Sequence, residues 1–187
     1  MPTTQLNPRT GEREPWYAPG LHFDCTGCGG CCTGPPGYVW FSPAEGRALA
    51  KRLGVTEKQF LALYAEEKLG PGNGWSLTEV VRDGNYDCVF LGTDADGRRG
   101  CTVYSDRPTQ CRTWPFWQSN LESPRAWQQA AAHCAGMGTP NGQPRRAAAC
   151  CGGGGSGGDD GSGGGGVAGF VPVSEIRIQL ARNPEGL

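Results

Sequence analysis

Two stretches carry apolar residues at helical spacing, each between a cap and a stop. In SPAEGRALAKRLG, Ser42 caps, Pro43 suits the first helical position, Glu45 completes a capping box and Gly54 ends the helix. Leu49 and Leu53 fall on one face. The logic repeats in VTEKQFLALYAEEKLG: Thr56 and Gln59 form the box, and Val55 and Phe60 occupy the positions of a hydrophobic staple. Phe60, Leu61 and Tyr64 make its apolar stripe, with Gly70 as the expected end. Both helices read as packing elements without chemistry of their own.

The pattern then turns β-like. LTEVVRDGNYDCVFL places apolar runs on either side of an Asp-Gly turn, a hairpin signal. TDADGRRG makes a second turn before CTVY, so Cys88 and Cys101 are expected on strands that pair through a hairpin loop. Pro108 and Pro115 bracket a piece long enough for one or two helical turns, with Cys111 on it. SPRAWQQAAAHC predicts a helix from Ser123 and Pro124 that delivers Cys134 at its far end, with Gly136 as a stop. VAGFVPVSEIRIQL is apolar enough for a strand or a docking peptide.

These elements predict an α+β fold: a small, metal-stapled domain with short helices and β-hairpins, irregular and loop-rich. Composition limits its extent. The chain has 187 residues, 32 of them glycine, and a mean hydropathy of −0.47. Residues 152–166, GGGGSGGDDGSGGGG, contain no apolar side chain and read as a flexible coil. The expected organisation is an N-terminal extension over 1–20, a cysteine-cluster metal-binding domain over 21–138, and a disordered linker with a C-terminal segment over 139–187.

Charge narrows the partners. Seventeen basic residues against 18 acidic ones give no electrostatic case for nucleic acid or anionic lipid. No apolar run approaches the ~18 residues that span a bilayer, and the opening MPTTQLNPRTGEREPWYAPG lacks a secretory core segment. A cytoplasmic chain is expected, and there a cysteine-rich sequence more often binds metal or performs chemistry than forms disulfides.

The chemistry sits in the ten cysteines. CTGCGGCC puts Cys25, Cys28, Cys31 and Cys32 within eight residues. Two residues between thiols let the backbone turn so that both sulfurs face one centre, and Gly27, Gly29 and Gly30 ease the φ values required. Cys88, Cys101, Cys111 and Cys134 follow from turns and strand ends, while Cys150 and Cys151 lie beside the glycine tract. The first eight fit two four-cysteine sites, or one such site with thiols left over. All-sulfur ligation suits Zn²⁺ at ~2.3 Å or an iron–sulfur cluster of the 4Fe–4S type. Arg107 and Arg112 flank Cys111 and are expected to offset thiolate charge, the alternative being pairing with Asp106 and nearby carbonyls. His133 reads as a surface residue at a helix end, although it has the chemistry to replace Cys134 as a ligand. Trp114, Phe116 and Trp117 are expected to pack over the site, or to form a partner-binding patch.

CTGCGGCC followed by DCVFL, CTVYSDRPTQCRTWPF and HCAGMG resembles the YkgJ-type cysteine-cluster family, CxxCxxCC, named for zinc or iron chelation. The likeness covers roughly residues 23–138. It implies ligands at Cys25, Cys28, Cys31, Cys32, Cys88, Cys101, Cys111 and Cys134. Ala135 stands where relatives often carry Pro, and Cys150 and Cys151 have no family counterpart. The expected function is a non-catalytic metal-binding protein. The alternatives are an iron–sulfur enzyme related to protein lysine N-methylases, or a thiol redox or metal-sensing protein with an unidentified protein partner.

Overall fold

The computed structural model describes residues 11, 13–69, 74–141, 143 and 169–182. The glycine tract, Cys150 and Cys151 lie outside the described residues. Two compact units emerge, one drawn from Met1–Thr26 with Pro115–Ala181, the other centred on Gly27–Trp114. The architecture is mixed α and β, built from short helices and two-stranded antiparallel sheets, most of them hairpins. No helix among the described residues is long and apolar enough to cross a membrane.

In the Gly27–Trp114 unit, helices α1 (Pro43–Leu53) and α2 (Glu57–Tyr64) form at the predicted caps. Both capping boxes are complete, and Gly54 ends α1 at φ 68°, a left-handed conformation that suits glycine. Leu49, Ala50 and Phe60 from these helices are buried with Leu77, Phe90 and Val103, and Val55 packs against this cluster as its staple position requires. Rings run through the core in sequence, Phe41 on Phe60, Phe60 on Tyr64 and Tyr64 on Phe90, at centroid distances of 5.3–5.8 Å.

Helix α2 stops earlier than its sequence suggests. Ala65–Lys68 forms strand β2, paired with β3 (Gly74–Leu77) in the register Ala65↔Leu77 to Lys68↔Gly74. A run with good helical propensity is thus drawn into a sheet, because β3 carries the buried Ser76 and Leu77. Ser76 Oγ accepts the Val39 N–H at 3.0 Å, and the Leu77 N–H donates to Val39 O at 2.9 Å, lashing the 38–41 segment to β3.

The Asp-Gly hairpin forms as predicted: β4 (Glu79–Arg82) pairs with β5 (Asn85–Cys88) around Asp83 at φ 50° and Gly84 at φ 79°. A second hairpin joins β6 (Leu91–Thr93) to β7 (Arg99–Cys101). Cys88 and Cys101 therefore end successive hairpins instead of sharing one. Cys88 faces Glu79 in register and Cys101 faces Leu91, because a two-residue turn after Cys88 releases the chain into a separate ladder.

In the other unit, β1 (Leu21–His22) pairs with β8 (Phe170–Val171), so the C-terminal apolar segment is both a strand and, from Val173 to Arg182, helix α6 with Ile176 buried. Leu21, Met137, Ile176 and Trp127 of α5 (Pro124–Ala131) form the centre of this unit. Trp127 donates from Nε1 to Gly138 O at 2.9 Å, and Trp16 donates from Nε1 to the carbonyl of Leu121, the last residue of α4 (Gln118–Leu121), at 2.6 Å. Phe116 stacks on Trp127 at 5.9 Å and meets Phe23 edge-on at 5.7 Å. It is a core residue of this unit.

Glu45 serves more than its helix. Its Oε2 accepts the Ser42 N–H at 2.8 Å, and its Oε1 accepts the Thr109 N–H and hydroxyl, both at 2.6 Å. Burial pushes its carboxyl up, but hydrogen bonds from Ser42 and Thr109 outweigh this and leave it below the ordinary glutamate value. Its stabilising contribution is then complete above the unfolded value near pH ~4.3 and fades as pH falls through the lower folded value. Glu45→Ala should destabilise the fold by about 1.5–3 kcal/mol at pH 7. In denaturant titrations the gap from wild type should narrow below pH ~4; an equal gap at both pH values would contradict this assignment.

Candidate metal centre

Six of the predicted ligand cysteines, Cys28, Cys31, Cys32, Cys88, Cys101 and Cys111, belong to the Gly27–Trp114 unit; Cys25 and Cys134 belong to the other. None of the eight forms a disulfide.

The glycines of the CTGCGGCC loop let it pass hard against the second hairpin. Gly29 sits at φ 70°, and a Cβ there would overlap Leu91 Cδ1 at 2.5 Å. A Cβ on Gly100 would meet Gly27 O at 2.8 Å. Side chains at either place would push the loop from the strand that ends in Cys101. Gly30–Cys32 then closes as a short 3₁₀ turn, with the Cys32 N–H donating to Gly29 O at 2.9 Å. Cys111 arrives on α3 (Thr109–Thr113), the short helix expected between the two prolines.

Five thiols are gathered in this way. Cys31, Cys32, Cys88, Cys101 and Cys111 each lie in the electrostatic field of others in the set. Cys31 and Cys32 have sulfurs 3.9 Å apart. Among the described residues no three His, Cys, Asp or Glu side chains stand at the spacing that holds one metal ion. The grouping is an open one.

Cys88 and Cys101 share a local design. The N–H two residues on, from Phe90 and Val103 respectively, points at each sulfur and favours its ionised form. The side chains of those same residues are buried in the core. One residue thus anchors each cysteine turn and presents a donor to its sulfur.

Proton affinities divide the set. The Cys31 thiol is lowered to about 7, mainly because Cys32 donates a hydrogen bond to it, with the Arg107 charge assisting against burial. Cys32 is correspondingly raised as that donor. Burial pushes Cys88 up to about 11 and also raises Cys101 and Cys111, and neighbouring thiols add to each rise. The set therefore holds most of its protons at neutral pH, which a soft cation would have to displace. Glu79, the carboxylate in reach of Cys88, is occupied by the Gly37 N–H at 3.0 and 3.2 Å. The remaining donor chemistry is sulfur, which fits zinc or an iron–sulfur cluster.

The two arginines beside Cys111 separate in role. Arg107 lies over the Tyr104 ring at 3.6 Å, donates from Nε to Tyr104 O at 2.9 Å, and its charge favours thiolate at Cys31, Cys101 and Cys111. Arg112 instead donates to Arg107 O at 2.6 Å and to Glu45 Oε1 at 3.3 Å. Asp106 pairs with Arg52 at 3.0 Å. The charge-offsetting expectation therefore applies to Arg107, whereas Arg112 is claimed by the Glu45 carboxylate.

Three polar residues that place cysteine segments escaped the sequence reading. Glu45 was legible only as a helix cap, yet it also fixes the start of α3. The buried Gln110 donates to Tyr38 O at 2.9 Å and accepts the Trp40 N–H at 2.6 Å, binding α3 to the 38–41 segment. Buried Asp87 accepts from Thr33 and pairs with Arg99 and Arg82. Asp87 and Gln110 each adjoin a cysteine in sequence, and that adjacency is the only signal they offer. In the other unit the Asp24 N–H donates to Gly136 O at 2.9 Å, setting the backbone before Cys25 beside the turn after Cys134. His133 is exposed, as expected.

In metal-free protein at pH 7, Cys31 should alkylate at least about tenfold faster than Cys88, since the thiolate is the nucleophile. Arg107→Ala should slow it, and Arg112→Ala should not. Peptide mapping after brief iodoacetamide exposure reads both; a Cys88 rate equal to that of Cys31 would contradict the assignment.

No solved structure matches the chain. A family model described as "CxxCxxCC: Putative zinc- or iron-chelating domain" matches residues 24–135.

Proposed function

Because the chain belongs to the CxxCxxCC family of zinc- or iron-chelating domains, we propose that it binds its metal through the thiolates of Cys31, Cys32, Cys88, Cys101 and Cys111, as a non-catalytic cytoplasmic protein. The single observation that carries this reading is the gathering of five sulfurs from four separate chain segments into one unit. Disulfide chemistry would need paired sulfurs with converging geometry, whereas these five share a common field in which Arg107 supplies positive charge. Cys28 lies in the same unit, three residues before Cys31, and is a further donor. Cys25 and Cys134 are donors of the other unit.

Bound metal would supply the charge that lets the buried thiols ionise together, and would contribute folding free energy to a small glycine-rich unit. The chain's own part is to bring the sulfurs together, aim backbone N–H groups at Cys88 and Cys101, and hold Arg107 near three of them. Zinc and a 4Fe–4S cluster are both consistent with such donors, and colour separates them, since zinc is spectroscopically silent.

Anaerobic purification followed by metal and acid-labile sulfide analysis tests the reading. About one equivalent of zinc, or iron with sulfide, is expected, and Cys88→Ser or Cys111→Ser should lose most of it. Chelation should lower the melting temperature of wild type. Protein that contains neither metal nor sulfide, and takes up neither on reconstitution, would refute the proposal.

A further inference from the structure

We propose that Asp87 is a positioning residue for the thiol centre, holding three of its cysteine-bearing segments together without touching the metal. The inference rests on the metal-binding reading above and adds to it a residue outside the sulfur set.

Asp87 immediately precedes Cys88 and is 5 % exposed. Its Oδ1 accepts the Thr33 hydroxyl at 2.5 Å and Arg99 Nη2 at 3.3 Å, while Oδ2 faces Arg82 Nη1 at 3.6 Å. Thr33 directly follows Cys32, and Arg99 lies two residues before Cys101. One carboxylate therefore links the segments of Cys32, Cys88 and Cys101, across sequence separations of 54 and 12 residues. A parallel backbone bond, Tyr86 N–H to Gly34 O at 2.8 Å, runs beside the Thr33 link.

A buried carboxylate is costly unless hydrogen-bonded and paired. Here both oxygens are engaged, so the charge does not drive Asp87 outward, and the geometry of its partners is narrowly set. The neighbouring hairpin end could bury an apolar residue at no such cost. What the carboxylate adds is directional: it accepts from a hydroxyl on one segment and a guanidinium on another at the same atom. Outer residues that orient ligands typically contribute 10–100-fold to metal affinity.

The test is a competition titration of the full chain with Zn²⁺ against a chromophoric chelator, with the melting temperature of the metal-free protein recorded alongside. Asp87→Ala should weaken Zn²⁺ binding by about 10–100-fold. Asp87→Asn keeps an oxygen that accepts from Thr33 and Arg99, and should stay within a few fold of wild type. Thr33→Val removes only the hydroxyl tie and should weaken binding several fold; it carries the test if Asp87→Ala does not fold. Leu49→Ala, a core variant, should lower the melting temperature of the metal-free protein while leaving the affinity of its folded form unchanged. Wild-type affinity in both Asp87→Ala and Thr33→Val overturns the inference alone. Equal losses in Asp87→Asn and Asp87→Ala overturn it too, by making the charge rather than the placement responsible. A wild-type chain that takes up neither Zn²⁺ nor iron with sulfide overturns the metal-binding reading and this inference with it.

Discussion

Sulfurs crowded into a small unit resist ionising together, and the Gly27–Trp114 unit is arranged around that constraint. Burial and mutual repulsion raise the proton affinity of Cys88, Cys101 and Cys111, and the hydrogen bond to Cys31 raises that of Cys32 before burial adds to it, leaving Cys31 as the thiol near neutrality. Attraction between the sulfurs cannot assemble such a group. It is assembled by the groups around it: the glycine loop pressed on β6–β7, the core anchors at Phe90 and Val103, and polar ties at Asp87, Glu45 and Gln110.

The core and the thiol cluster are two outcomes of the same turns. Phe90 and Val103 each bury a side chain against α1 and α2 while directing an N–H at a cysteine two residues earlier. Helix packing therefore reaches the sulfurs through one peptide unit. On the other side, α1 reaches α3 through Glu45, whose carboxylate caps one helix and holds the first residue of another. A small fold with few long elements gains rigidity where one residue serves two segments. The Arg107 side chain, laid on Tyr104, keeps its charge directed toward three thiols, with no carboxylate paired to it among the described residues.

Local signals were readable wherever a residue's role depends on its immediate neighbours. Ser42 with Glu45 and Thr56 with Gln59 announce helix starts, Asp83-Gly84 announces a hairpin, and Pro108 with Pro115 bounds a short helix. Misreadings occurred where a distant partner decided. Ala65–Lys68 has helical propensity but is claimed by β3, a partner beyond the helix. Arg107 and Arg112 look alike in DRPTQCR, and only the position of Glu45 tells them apart.

By itself the amino-acid sequence determined the capped helix starts, the Asp-Gly hairpin, the α+β class and the chemical character of the centre, because caps, turns and thiol softness are properties of residues and their near neighbours. Only the tertiary structure decided which cysteines fall in one unit, which arginine's charge reaches them and which carboxylates tie their segments together. Those outcomes depend on contacts between residues up to 72 positions apart, and no periodicity or spacing along the chain encodes which distant polar group will meet which.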